Sequence, residues 1–206
     1  MTSDTDVPPL WFRLPPGFHD IGPGDRTALD TMADALNSPD ARRQLGQLMD
    51  GLRELAGHQV VHTAIGLHPD EATGVATSLF SLTARPSVDS HPRLNVARAA
   101  LAITRSGVWS SSTSRAIDLP SSLPCCLISG TITLPETGQE MFQARVATAH
   151  ACAPHVLVLD LTSAATHHAE AYGDILEAIT HTLTFSDPTP SSSSGPRTSR
   201  ILEVLS

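Results

Sequence analysis

Residues 155–185 read HVLVLDLTSAATHHAEAYGDILEAITHTLTF, and no other stretch restricts the fold as tightly. Tyr172, Ile175, Leu176, Ile179 and Leu183 recur at helical spacing, so they line one side of a helix. Burying such side chains is worth about 1.5–3 kcal/mol each before entropy is charged, and a helix of this kind needs an apolar platform. One lies directly upstream. In 154–164, Leu157, Leu159 and Leu161 alternate with Val156, Val158 and Asp160, which makes a strand with one wholly apolar face. Thr166 is the expected helix cap, and Glu170 sits in the first turn, where a carboxylate favours the positive end of the macrodipole. "TLTF" is the exit, Phe185 a plug at the rim of the core, and Pro188 the end of regular structure.

The rest of the chain supplies a sheet for that helix. "LWFRLPPGF" (10–18) predicts a short edge strand, because proline is tolerated at an edge and not in a sheet centre; Trp11 and Phe18 anchor it. Leucines at three- and four-residue steps predict a helical hairpin over 25–56, divided at "NSPD" and closed by Gly57. "HQVVHTAIGL" (58–67) and "TGVATSLFSLTA" (73–84) flank the turn "HPDEA" and predict an antiparallel pair. A helix over 91–107 is expected to face inward with Leu94, Ala97, Leu101 and Ile103 or Thr104, and to stop at Gly107. "WSSSTS" reads as a polar loop. Strands are expected at 114–120 and 123–135, and "ETGQ" turns the chain into another at 140–151.

Composition narrows the function classes. A formal net charge of −8 with scattered basic residues argues against a nucleic-acid partner, which needs a basic face. All 13 basic residues are Arg, a coding bias of the GC-rich, actinobacterial kind. The N-terminus lacks the basic and apolar regions of a secretory signal, and no apolar run is long enough to span a bilayer, so the expected setting is the cytoplasm. Cys125 and Cys126 are adjacent and point to opposite faces of a strand, and with Cys152 they read as buried thiols rather than a bridge. Residues 1–9 read as a loose arm, 10–186 as one domain, and 187–206 as a Ser/Pro-rich disordered tail with a short apolar end.

The order of elements predicts an α+β domain, a mostly antiparallel sheet with helices packed on it. "HVLVLDLTS" followed by "Y..ILEAI.HTLTF", together with the opening "LWFRLPPGF", resembles the Mog1/PsbP-like superfamily. Only these two ends carry the signature, and the helical insertion at 25–56 departs from compact versions of the fold. The chain also resembles a set of small uncharacterised actinobacterial proteins. The resemblance implies a sandwich fold and, since most members are assembly factors, accessory subunits or chaperones, no catalytic residues.

The reactive side chains agree with that expectation. On a strand His58, His62 and His68 share a face, but the outer two are ~33 Å apart, too far for one ion. His167 and His168 are sequential and expected to diverge. Cys125 or Cys126 could meet His150 or His155 across paired strands, yet their setting is apolar, where a thiol is unreactive. No strand–turn–helix serine elbow exists. Asp70, Glu71, Glu136 and Glu140 fall in expected turns, where solvation accounts for them. Asp160 either faces water or makes a polar contact in a groove between sheet and helix. No cofactor is expected. Ile201, Leu202, Val204 and Leu205 could dock onto a partner, fold back onto the domain, or be an unselected apolar end. The expected function is that of a non-enzymatic adaptor, chaperone or accessory protein with a protein partner; the alternative is a lipid or small-molecule carrier using an apolar groove beneath the terminal helix.

Overall fold

The computed structural model describes residues 9–22, 60–71, 74–87, 89–134, 137–150 and 155–187, with isolated positions between 25 and 46. The helical hairpin expected over 25–56 lies outside these residues apart from those isolated positions, as do residues 1–8, Cys152 and the tail from 188 onward.

Seven strands form one antiparallel sheet: β1 (Phe18–Asp20), β2 (Val60–Asp70), β3 (Gly74–Pro86), β4 (Trp109–Ala116), β5 (Cys125–Thr133), β6 (Glu140–Ala149) and β7 (His155–Ser163). Their spatial order is β1-β2-β3-β7-β6-β5-β4. The β2–β3 hairpin and the β4–β7 meander are therefore separate units joined through the central β3–β7 pair. That seam has Phe80 opposite Leu161, Leu82 opposite Leu159 and Ala84 opposite Leu157. Two helices complete the described fold, α1 (Pro92–Thr104) and α2 (Ala169–His181), the latter preceded by a 3₁₀ turn at Thr166–His168.

Helix α2 lies where its stripe requires. Tyr172, Leu176, Ile179 and Leu183 are buried with Leu157, Leu159 and Leu161 in the main core. Val156, Val158 and Asp160 take the opposite face, as their alternation predicts. Thr166 does not cap the helix: a 3₁₀ turn occupies Thr166–His168, and α2 starts after His168 without a side-chain cap. "TLTF" is no strand. Thr184 makes an isolated bridge to Trp11, with reciprocal backbone bonds of 2.8 and 2.9 Å. Arg13 N–H donates to Thr182 Oγ1 at 2.9 Å, and Phe12, Leu14 and Phe18 pack on the main core. The segment from Trp11 to Leu14 thus buckles down the end of α2, and the paired edge strand begins only at Phe18.

Helix α1 crosses to the far edge of the sheet, rotated from expectation. Asn95, Val96 and Ala100 are buried, whereas Leu94 and Leu101 are 41% and 50% exposed. Asn95 sets the rotation by donating from Nδ2 to Ser87 Oγ and to the Asp89 carbonyl. The sheet beneath offers Ala147, Ala149 and Cys126, small side chains that pack against Val96, Ala99 and Ile103. Both stripes of this alanine-rich helix have helical spacing, and the loop before it chooses between them. At its far end Trp109 Nε1–H donates to the Ile103 carbonyl at 2.9 Å.

The serine run is a strand, contrary to the loop reading. β5 offers it a free backbone edge, and a bulge between Trp109 and Ser111 fits over Gly130, where a Cβ would lie 2.0 Å from the Ser111 carbonyl oxygen. Ladder bonds and this fit outweigh the poor strand propensity of serine. β5 and β6 pair as the expected hairpin, with Leu134 bonded through its backbone to Gly138 and Gln139 and Gly138 at φ +66°. No helix among the described residues is long and apolar enough to cross a membrane.

Leu176→Ala is expected to cost about 2–5 kcal/mol, as for other fully buried leucines. Leu101→Ala should stay within about 0.5 kcal/mol, because its side chain is mostly in water. Urea unfolding of the two variants checks this, and equal losses would contradict the rotation of α1.

Candidate functional site

Among the described residues, a carboxylate and two histidines converge where the end of β2 meets the turn before α2. β2 runs through His68, Pro69 and Asp70 to pair Asp70 with Gly74, so the expected "HPDEA" turn starts later. Asp70 is consequently no solvated turn residue; its side chain is only 3% exposed. Above it, His167 Nε2 and His168 Nε2 lie 2.9 and 3.2 Å from the same Asp70 oxygen, Oδ1. A carboxylate only accepts, so each imidazole donates from Nε2. The two rings stand with centroids 4.2 Å apart. The expected divergence of these histidines is thus overturned. Successive side chains of a 3₁₀ turn leave its axis about 120° apart, but both rings bend toward a buried anion placed beside the turn.

His68 and Tyr172 extend the group inward. His68 Nε2 pairs with Ser78 Oγ at 2.8 Å, a contact for which Gly66 leaves room: a Cβ there would lie 2.5 Å from Nε2. Burial first, then the neighbouring charge of His168, hold the His68 imidazole below its ordinary pKa. The Tyr172 hydroxyl is buried without a hydrogen bond of good geometry, although Ser163 lies near enough to offset part of the upward shift that burial imposes. Of the histidine trio read from sequence, His58 lies outside the described residues. His62 rests against Phe12 and 3.1 Å from Asp20, ~20 Å along the strand from His68.

Other candidates disperse. Cys125 enters the main core and Cys126 the α1 side, so the opposite-face reading holds, and both thiols are free. Burial pushes the Cys125 thiol up to about 12 and raises Cys126 as well. Such thiols are poor nucleophiles at neutral pH. His150 packs against Phe185 with ring centroids 4.2 Å apart and planes tilted by 55°, and His155 is buried at the start of β7 with both ring nitrogens unbonded. Asp160 lies on the sheet face away from α2, so it occupies no groove beneath that helix. It is not simply solvated either: Arg145 Nε pairs with it, and Gln143 Nε2 and Thr162 Oγ1 donate to it. An open hollow of about 300 Å³ between β4–β5 and the start of α2 is lined mainly by Ser111, Thr113, Ser129, Thr131, Phe142 and Glu170. Serine and threonine side chains line its outer rim, and Phe142 and Ala169 add an apolar wall.

The outer edge of β4 is a strand edge with no partner strand among the described residues. All of β4 after Trp109 is exposed, and β5 is its sole strand partner there. Arg115 holds it to α2 through a two-pronged pair with Glu177, which raises the Arg115 pKa and lowers that of Glu177. The opposite edge differs: β1 is three residues long and preceded by Pro15, Pro16 and Gly17. Nothing in sequence distinguished Asp70 or β4, because burial of the one and pairing of the other depend on elements far along the chain. The apolar tail residues Ile201, Leu202, Val204 and Leu205 lie outside the described residues.

No family model matches the chain, and no curated protein does. Among solved structures, LpqN of Mycobacterium tuberculosis, described as involved in cell envelope biogenesis, superposes with a TM-score of 0.50 at 12% identity. The match covers 89% of this chain and 86% of LpqN. A Pseudomonas aeruginosa protein of unknown function, PA94, described as a candidate regulator, aligns over 62% of this chain and 84% of its own, with a TM-score of 0.40 and 18% identity. The LpqN likeness is one of fold.

A thiol with a pKa of about 12 is ionised in about one molecule in ten thousand at pH 8. Native Cys125 is therefore expected to alkylate at least tenfold more slowly than in guanidinium chloride, with a rate that rises with pH. Peptide mass spectrometry after iodoacetamide treatment reads this, and fast native labelling of Cys125 would contradict a buried, protonated thiol.

Proposed function

We propose that this chain is a non-enzymatic adaptor, chaperone or accessory protein, and that β4 is the edge to which an extended segment of its protein partner adds. The observation that carries the reading is the eight-residue outer strand, exposed from Ser110 to Ala116 and paired on one side only among the described residues. Unpaired N–H and C=O groups in a row are a template for another strand, and natural edges are usually blunted by prolines, charges or shortness. β1 is short and follows two prolines; β4 has no proline, and its one charge, Arg115, is engaged by Glu177.

Several further features support the reading. Cys125, Cys126, His150 and Asp160 are dispersed or chemically quiet, and among the candidates read from sequence only Asp70, His167 and His168 converge. We also infer a Mog1/PsbP-like relationship, supported by a sheet closed by an amphipathic helix with "TLTF" at its exit, and a cytoplasmic setting, which the free thiols Cys125 and Cys126 favour. The carrier alternative requires an apolar void beneath α2; Tyr172, Leu176 and Ile179 fill that space with their own side chains.

Photocrosslinking from Thr113 in the native host identifies the partner, and its binding to purified protein then tests the edge. Replacing Ser112 and Ser114 together by Lys places two charges on an exposed strand, with stability expected to change by no more than about 0.5 kcal/mol per site. Affinity for the crosslinked partner is expected to fall at least tenfold. Unchanged affinity in a correctly folded double variant would remove β4 from the proposal.

A further inference from the structure

Beyond partner binding, and independently of β4, the group at the start of α2 has the composition of a metal site. Asp70, His167 and His168 each offer one donor atom, and these three atoms all lie within 4.8 Å of one another. Tetrahedral coordination with bonds of about 2.0–2.1 Å separates ligand atoms by about 3.3 Å. The Asp70–His167 and Asp70–His168 separations, 2.9 and 3.2 Å, are already near that spacing. The two histidine donor atoms lie no more than 4.8 Å apart, so closing on a common ion draws the rings together by up to about 1.5 Å.

The chemistry agrees with the geometry. Two imidazole protons point at one carboxylate oxygen. On binding a dication each imidazole gives up its Nε2 proton, which moves to Nδ1 in a neutral ring or is released to solvent from a protonated one. Two neutral imidazoles and one carboxylate are left as ligands. Buried carboxylates are stable where they are paired or bound to a metal, and Asp70 is nearly inaccessible. The histidines lie on the outer side, with side chains 55% and 34% exposed, so an ion has a path from solvent and a coordination position facing water. Two nitrogens and one oxygen suit zinc-class transition ions rather than calcium or magnesium, which take oxygen ligands. The ligands also come from separate parts of the fold: Asp70 ends β2, and the histidines lie 97 and 98 residues further on.

We propose that Asp70, His167 and His168 form a three-ligand binding site for a divalent transition-metal ion of the zinc class, pinning the start of α2 to the end of the β2–β3 hairpin.

The full chain, stripped with chelator, is titrated with Zn²⁺ in competition with a chromophoric chelator, and with Co²⁺ followed by its visible d–d absorption. One equivalent is expected to bind with micromolar or tighter affinity, to raise the Tm, and to give Co²⁺ bands typical of nitrogen and oxygen ligands. His167→Ala and His168→Ala are each expected to weaken Zn²⁺ at least tenfold and to abolish the Tm rise. Both side chains are partly exposed, and circular dichroism shows whether the variants fold. His91→Ala, an exposed histidine far along the chain, should bind as the parent does. Absence of stoichiometric binding in the parent, or equal affinity in the parent and both folded site variants, overturns the proposal. Equal weakening by His91→Ala would show adventitious surface binding and overturn it too.

Discussion

The pairing of β3 with β7, and its cover by α2, is the contact on which the rest of this structure hangs. The β2–β3 hairpin and the β4–β7 meander are each local in sequence, but nothing local joins them. The joint is a seam of Phe80, Leu82 and Ala84 against Leu161, Leu159 and Leu157, and it closes a loop of about seventy residues or more. Loop closure grows only slowly with length, so the entropic cost is bearable where enough apolar surface is buried across the seam. Helix α2 provides it: Tyr172, Leu176 and Ile179 lie over the same face, and the N-terminal arm clips the end of the helix through Trp11 and Thr184.

A sheet covered in this way has two unequal sides. Beneath α2 the side chains are mostly aliphatic or aromatic, with His68, Ser78 and Ser163 at the Tyr172 end, and a slip of one residue in β7 would turn three leucines outward. On the other side, α1 covers only small residues at one end, and a polar network of Gln143, Arg145, Asp160 and Thr162 occupies the middle of β6 and β7. Charges are tolerated there because Arg145 and Asp160 both keep partial access to water, which limits the desolvation cost. The network also opposes register shifts, since each member bonds across or along the same two strands.

The two features with functional content follow from where α2 begins and where the meander ends. Because α2 must start over the β2–β3 hairpin to cover the seam, its preceding turn carries His167 and His168 onto Asp70. Because the meander runs outward from β7, its last strand, β4, has β5 on one side only among the described residues. Neither is a motif in the ordinary sense. Asp70 and the histidines are separated by nearly half the chain, and the β4 serines look like linker until β5 is placed beside them.

Legibility divides along the range of the forces involved. Local periodicity and turn chemistry determined the elements that carry a strong alternation: α2 and its apolar stripe, β7 with leucines on one side, the hairpin closed at Gly138, and the opposite orientations of Cys125 and Cys126. An antiparallel α+β sheet was legible from those pieces. Where local signals were balanced, the tertiary structure decided. Helix α1 had two usable stripes, and Asn95 with the small residues of β6 selected the one that leaves Leu94 and Leu101 in water. The serine run had no strand propensity worth the name, and backbone pairing with β5 imposed it. The Asp70 cluster was invisible for the same reason, since convergence of a carboxylate and two imidazoles is a property of packed elements, and no spacing along the chain encodes it.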